Sequence, residues 1–320
     1  MRAIVLTQPG GPEVLAVHEY PMPRAGDGHV VVKVRAFGLN RAETYMRRGV
    51  WPTAARVLGI ECVGEVHEDG TGRLAPGRRV AAIMGGMGRT IDGSYAEYVR
   101  VPATNVLPIE TQLGWAELAA IPESYATAWT CLHKNLELAR GQTVLVRGGT
   151  SALGQAAIQL ARVAGARVLA TTRDKGKLGL LETLGAVPIL DGDKVQGGLD
   201  AVLELVGNSK VLESLSWLRR GGRACVAGFL GGMAPIATFD PIAHLPSGVH
   251  LSFFASFVLG QPGFATDEIP LQSIVDRVAR GEIRAAPVRV LGFEQVAEGH
   301  GLMEANRANG KIVVEVAPGK

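Results

Sequence analysis

Cysteine is scarce in this 320-residue chain: Cys62, Cys131 and Cys225 are an odd number at wide spacing. That argues against a disulfide framework and makes a reducing cytoplasm the expected compartment. Three scattered thiols also cannot build a four-thiolate structural zinc site. His18, His29, His67, His133, His244, His250 and His300 show no ligand spacing, so each is read as a surface or packed histidine, and no metal is expected. Long apolar runs are missing as well, which excludes a membrane span. The run Met1–Leu6 turns polar at Thr7 and is too short for a signal peptide. Charge of one sign is in short supply: 33 Lys and Arg against 30 Asp and Glu leave +3, with no basic stripe. Aromatic residues are only 5% of the chain and do not interleave with basic ones, so no nucleic-acid partner is expected.

What is present points to a well-buried globular protein, with 47% hydrophobic residues and a mean hydropathy of +0.17. The length suits two domains rather than one core. Up to about residue 120, short apolar runs alternate with Gly and Pro punctuation, as in Val14–Glu19, His29–Ala36, Val63–His67, Arg79–Ile83 and Ser94–Arg100. The alternation in Val30–Arg35 predicts a half-buried strand, and a helical piece is expected near Asn40–Arg48. From Pro122 the pattern becomes strand–helix alternation, predicting a parallel sheet covered by helices on both faces. The expected strands are Thr143–Arg147, Arg167–Thr172, Ala201–Leu205, Ala224–Ala227 and Val249–Phe254; the expected helices are Ala152–Ala164, Lys175–Leu184 and Ser209–Leu218. A helix from Asp267 to about Arg280 and a strand over Lys311–Val316 follow, the latter returning to the first domain. This divides the chain into 1–121 with 266–320, and 122–265.

The run Val144–Arg147 leads into Gly148-Gly149-Thr150-Ser151-Ala152-Leu153-Gly154 and then a helix of small apolar residues. Gly149, Ser151 and Gly154 fill the three glycine positions of a dinucleotide fingerprint, with serine in the middle. The first permits a tight turn and the last lets helix and strand approach closely. The Ser151 hydroxyl is a candidate donor to a phosphate oxygen, and the helix starting near Ala152 offers free N–H groups to the same anion. The six residues Gly149, Thr150, Ser151, Ala152, Leu153 and Gly154 are therefore the expected pyrophosphate cradle. The next strand ends in Thr172-Arg173 where an NAD site carries a carboxylate. Thr172, Arg173 and Lys177 can hold a 2′-phosphate, which predicts NADPH; Asp174 either caps the following helix or faces the ribose, where it tilts the preference back toward NAD.

Gly38-Leu39-Asn40-Arg41-Ala42-Glu43-Thr44-Tyr45, Leu58-Gly59-Ile60-Glu61, Gly93-Ser94-Tyr95-Ala96-Glu97-Tyr98, Tyr125-Ala126-Thr127-Ala128-Trp129 and Gly310-Lys311-Ile312-Val313-Val314 follow one another along nearly the whole chain. Together with the glycine turn, this series resembles the quinone oxidoreductases, the zeta-crystallin-like, zinc-free branch of the medium-chain dehydrogenase/reductase superfamily. Arg41 stands where that family has an aromatic residue, Glu43 where it has aspartate, and Ile60 where zinc relatives have histidine. The resemblance implies a Rossmann doubly wound parallel sheet plus a β-rich GroES-like catalytic domain. It also implies catalytic roles for Tyr45 and Asn40. Cofactor contacts implied in the same way come from Asn40, Thr127, Lys311, Val206, Gly207, Gly228, Phe229 and Leu230.

Without metal or a catalytic His–Asp pair, the chemistry that remains is hydride delivery with modest stabilisation of an oxyanion. Reduction of a quinone or an α,β-unsaturated carbonyl fits, with Tyr45 donating to the developing negative oxygen. A trans-acting enoyl reductase on thioester-bound chains is the nearest alternative, with Arg41, Arg47 and Arg48 as candidate contacts to a phosphopantetheine phosphate. A low-turnover NADPH-binding structural or sensor protein is the alternative outside catalysis. The apolar run Leu251–Val258 is read as a strand able to pair two copies into a homodimer.

Overall fold

The computed structural model describes residues 1–317. In chain order the strands are β1 (Arg2–Leu6), β2 (Leu15–Glu19), β3 (His29–Gly38), β4 (Glu61–Asp69), β5 (Arg79–Ile83), β6 (Tyr98–Pro102) and β7 (Val106–Pro108). There follow β8 (Thr143–Arg147), β9 (Arg167–Thr172), β10 (Val187–Leu190), β11 (Leu199–Glu204), β12 (Leu218–Val226) and β13 (His250–Phe253). Then come β14 (Arg289–Gly292) and β15 (Ile312–Glu315). The chain divides into two compact units, one made of Met1–Glu123 with the stretch from Ser256 onward, the other of Ser124–Ala255.

The first unit is built on β3. Along one side β3 pairs with β4; along the other it pairs with β6 over His29–Lys33 and then with β15 over Ala36–Gly38, all antiparallel. A strand with partners on both sides has no open edge, and here both faces are covered as well. Val30, Val31 and Val32 are each fully buried, so the half-buried strand expected from alternation is in fact a central one. The stretch from Ser256 joins this unit earlier than the boundary at 266 read from the sequence. The Asn105 amide donates to the Leu259 carbonyl (2.9 Å), Ser256 bonds Glu123 (3.1 Å), and the Arg89 guanidinium lies over the Phe257 ring. The helix expected from Asp267 begins only at Leu271, because Pro270 interrupts it after a single tight turn at Thr266–Glu268.

The second unit is a six-stranded sheet in the order β10-β9-β8-β11-β12-β13, parallel throughout. This is the doubly wound arrangement, whose ligands bind beyond the carboxyl ends of the strands. Strands β8 and β9 have the bounds that their β-branched runs predict. Strand β10 went unseen because Pro188 interrupts its short apolar run. Leu145, Leu169, Val202, Leu215 and Val226 are among the residues that form the core beneath the helices. The run Leu251–Val258 is not one strand: β13 stops at Phe253, and Ser256–Val258 is a tight helical turn in the first unit. Strand β13 is the edge of the sheet and exposes Leu251 and Phe253.

Candidate functional site

In the second unit the carboxyl ends of β8, β9, β11 and β12 carry the glycine turn, Thr172-Arg173, Val206-Gly207 and Gly228-Phe229-Leu230. The tight turn falls one residue earlier than the fingerprint suggests, since Gly148, not Gly149, has φ +80°. Gly154 is fixed by close approach: a Cβ there would collide with the Gly148 carbonyl and the Gly149 backbone. Ser151 caps the helix Ala152–Val163, accepting from Gly154 N (3.0 Å) and donating to Gly148 O (2.8 Å). Its hydrogen is thus committed, and the expected donation from Ser151 to a phosphate gives way to capping. Ala152 and Leu153 stand in the first turn of this helix, where backbone N–H groups lack partners within the helix.

At the end of β9, Thr172 is buried and its hydroxyl accepts from Asp174 N (3.2 Å), while Asp174 caps the next turn through Gly176 N (2.9 Å). Lys177 lies 3.6 Å from Asp174. Arg173 is exposed and has no ion pair among the described residues. Val206 and Gly207 donate their N–H groups to Glu204 (2.7 and 3.0 Å), and Leu230 N reaches Leu205 O (3.0 Å), so these two strand ends form one edge. Thr127 is buried in the helix Pro122–Thr130.

The first unit holds a buried polar group that the sequence reading only half anticipated. Asn40 stands at the N-cap of the helix Arg41–Arg47, and Glu43 turns back to accept its N–H (2.6 Å). Glu43 also takes Ile60 N (3.0 Å) and the Tyr95 hydroxyl (2.6 Å). The Asn40 side chain donates to Glu61 (2.9 Å) and accepts from Lys311 Nζ (2.7 Å), which also pairs with Glu61. Glu61 receives Glu123 N (2.7 Å) on its other oxygen. Asn40 and Lys311, both expected at the cofactor, are thus brought together with Glu61, and the Asn40 amide is fully engaged. Tyr45 is half-buried on the same helix, its ring tilted against Trp51 at 5.0 Å.

Burial pushes the Glu43 carboxyl up to about 7, against the hydrogen bonds and the Lys311 charge that favour ionisation. Burial and the neighbouring carboxylates also raise the Tyr95 hydroxyl. Tyr95 meets His300 Nε2 at 2.9 Å, and burial, helped by Arg47, holds that imidazole down to about 3. His300 is therefore a packed neutral histidine. His300 is packed, as one of the two readings for the histidines allows, and Tyr95 lies in the quoted Gly93–Tyr98 segment, but neither carries a local signal of its contacts; Glu43 carries one, the Asn-x-x-Glu spacing of a helix cap. Two of the three candidate arginines are not free for a phosphate, since Arg41 donates to Met303 O (2.6 Å) and Asn306 (2.8 Å) and buried Arg47 pairs with Glu304; Arg48, at the end of the helix, is exposed.

Residues 26–111 match the alcohol dehydrogenase GroES-like domain, and residues 152–261 match the zinc-binding dehydrogenase family. The quinone oxidoreductase of Rattus norvegicus is 31% identical over 277 residues, covering 80% of this chain and 81% of that protein. One component of the phenolphthiocerol/phthiocerol polyketide synthase of Mycobacterium tuberculosis is 31% identical over 328 residues. There the match takes in 97% of this chain but only 14% of the synthase polypeptide. Among solved structures, mycobacterial Rv1454c in complex with NADPH superposes with a TM-score of 0.85 at 26% identity, covering 98% of this chain and 99% of that one. An NAD-dependent alcohol dehydrogenase does so at 0.84 and 29% identity, covering 99% and 100%.

The parallel sheet, its glycine turn and the GroES-like unit define an NAD(P)-dependent medium-chain dehydrogenase/reductase. Within that superfamily the chain belongs to the quinone oxidoreductase family. Among the described residues no three His, Cys, Asp or Glu side chains are grouped to hold a metal ion, and Cys62, Cys131 and Cys225 are all buried free thiols. Cys62 lies in the first unit and the other two in the second.

Proposed function

We propose that the chain is a zinc-independent NADPH-dependent reductase of quinones or α,β-unsaturated carbonyls. The observation that carries the coenzyme choice is the end of β9, where exposed Arg173 lacks a carboxylate partner among the described residues and Asp174 is turned into a cap. A free guanidinium there favours a 2′-phosphate over a ribose hydroxyl. When bound, the nicotinamide supplies a hydride from its C4. Gly149, Thr150, Ala152, Leu153 and Gly154 frame the pyrophosphate, with Ser151 holding the turn closed. Lys177 adds to Arg173, and Val206, Gly207, Gly228, Phe229, Leu230 and Thr127 border the remainder. Asn40 and Lys311 act through their shared hold on Glu61. Tyr45 donates to the oxygen on which charge develops, and Trp51 against its ring excludes water.

A second reading, reduction of enoyl thioesters, is favoured by the likeness to the polyketide synthase and by Arg89. Its guanidinium lies 4.3 Å from the Phe257 ring centroid and has no carboxylate partner among the described residues, leaving a cation for an anionic acceptor. One experiment separates the readings: oxidation of NADPH and NADH with quinones, alkenals and crotonyl thioesters, using deuterium at C4 to trace the carbon reduced. NADPH turnover with a quinone or enone is expected, and Arg173→Asp should raise the KM for NADPH roughly tenfold or more with little effect on NADH. Unchanged NADPH preference in that variant would sink the coenzyme assignment. The exposed edge of β13 supports a homodimer formed by pairing with a second copy, and light scattering that finds a monomer at micromolar concentration would exclude it.

A further inference from the structure

Tyr95 carries one hydroxyl proton between two partners, Glu43 on one side and His300 Nε2 on the other. All three side chains are fully buried in the first unit. One proton cannot serve both contacts, so the direction of the Tyr95 hydroxyl is tied to the protonation of its neighbours. With Glu43 ionised, Tyr95 donates to the carboxylate and His300 donates to Tyr95, which puts the imidazole proton on Nε2. With Glu43 protonated, its O–H donates to Tyr95, Tyr95 donates to His300 Nε2, and the imidazole proton moves to Nδ1. Both settings satisfy both Tyr95 contacts, and neither needs a charged imidazole.

The histidine end of this series is not neutral between the two settings. Among the described residues His300 Nδ1 has no hydrogen-bond partner, and neither do Nε and Nη1 of buried Arg47, the guanidinium that adds to burial in depressing the imidazole. A lone pair on Nδ1 suits that cation, and an N–H there opposes it, so Arg47 favours the setting with ionised Glu43. At the carboxylate end Glu43 binds Asn40 N and Ile60 N at once, clamping the helix start to the strand that carries Glu61. The charged groups acting on the series are Lys311 and Glu61 beside Glu43, Arg47 beside His300 and Tyr95, and Glu304, Glu13 and Arg48 around Arg47.

We propose that Glu43, Tyr95 and His300 form a two-setting hydrogen-bond relay that positions Asn40, Glu61 and Lys311, so that the hold on these three residues depends on which way Tyr95 donates. With the carboxylate ionised, two N–H groups and an O–H converge on Glu43 and the clamp is tight. With it protonated, the clamp loses its charge-assisted character. The relay thus makes Tyr95 and His300 positioning residues for the reaction, which rests on the role read above for Asn40 and Lys311. Burial that holds Glu43 near neutrality puts the change of setting in the working range.

The test reads the imidazole directly. The full-length chain, labelled with 15N in histidine, is followed by NMR from about pH 5.5 to about pH 8.5, with His300→Gln identifying the signal. The expected result is an imidazole that stays neutral throughout while its proton moves from Nδ1 to Nε2 near neutral pH. Tyr95→Phe, which keeps the ring and removes the relay atom, should abolish the move. A single tautomer at every pH, an imidazole that titrates to its cation near the ordinary value, or an exchange unaltered in Tyr95→Phe would overturn the relay. The positioning role is read separately in kcat with the best acceptor: an inflection near neutral pH is expected, flattened in Tyr95→Phe while the NADPH KM stays within about threefold. A flat wild-type kcat overturns that role. Because the NMR signal is read with no acceptor present, failure to find an acceptor counts against the proposed function and not against the relay.

Discussion

Each of the two units buries an ionic cluster, and the clusters are built on opposite plans. In the second unit a cation is the hub, with Lys210 beside it pairing Asp191 (3.7 Å) and Glu213 (3.3 Å). Arg147, at the end of β8, reaches Asp191 (2.8 Å), Glu213 (2.9 Å) and Ser214 (3.2 Å), lies 3.8 Å from Glu204, and stacks over Trp217. In the first unit carboxylates are the hubs, and around them stand groups that can trade a proton: Glu43, Tyr95 and the neutral His300. A guanidinium cannot lose its proton, so the central cation of the Arg147 cluster is permanent and holds together the strand ends that carry the glycine turn. The Glu43 cluster has more than one state. The difference sets a cluster organised by a permanent cation beside the glycine turn against one organised by groups that share protons.

The largest effect expected is the loss of the fixed hub. Arg147→Met leaves buried Glu204 without its cation, and burial already pushes that carboxyl up. The expected cost is about 3–5 kcal/mol, measured as a drop in the urea midpoint. A loss below about 1 kcal/mol would break the contrast, because Arg147 would then be dispensable to its unit.

The smaller effect tests the other cluster through pH. Glu43 keeps its proton up to about 7, above the ordinary 4.5. Its contribution to stability is therefore complete below about 4.5 and disappears as pH rises through about 7. His300 has the opposite sign: held to about 3 instead of 6.5, it contributes fully above 6.5 and loses that contribution as pH falls toward 3. Between 4.5 and 6.5 the two slopes oppose one another and nearly cancel in the native chain. Glu43→Gln should expose stability that rises with pH in that window, and His300→Gln stability that falls, each by at most about 1.4 kcal/mol per pH unit. Urea midpoints across the window check this. Parallel slopes in the two variants would show that the residues do not titrate as described.

How much was legible in advance differs between the units for the same reason. The glycine turn, β8, β9 and the carboxylate-free strand end are local patterns, and a local pattern survives in a linear reading. Even there the hydroxyl of Ser151 was assigned to a phosphate when its nearest demands are the Gly148 carbonyl and the Gly154 N–H. Strand β14 and the helix Val296–Glu304 that carries His300 were invisible, the helix because Gly299 and Gly301 dilute its helical character. Arg41 and Arg47 looked like a solvated, phosphate-facing surface until the same helix covered them.

The sequence by itself determined the class of the protein: strand–helix alternation, a fingerprint turn and a basic strand end specify a parallel dinucleotide-binding sheet, because each rests on residues within one turn or one strand. Only the tertiary structure decided what the buried polar residues do. Glu43, Tyr95 and His300 are 52 and 205 residues apart along the chain at their two contacts, and Lys311 reaches Glu61 across 250. Hydrogen bonds over such separations exist only once β3 has gathered β4 and β15 to its sides. Their energies depend on the burial that the folded unit creates.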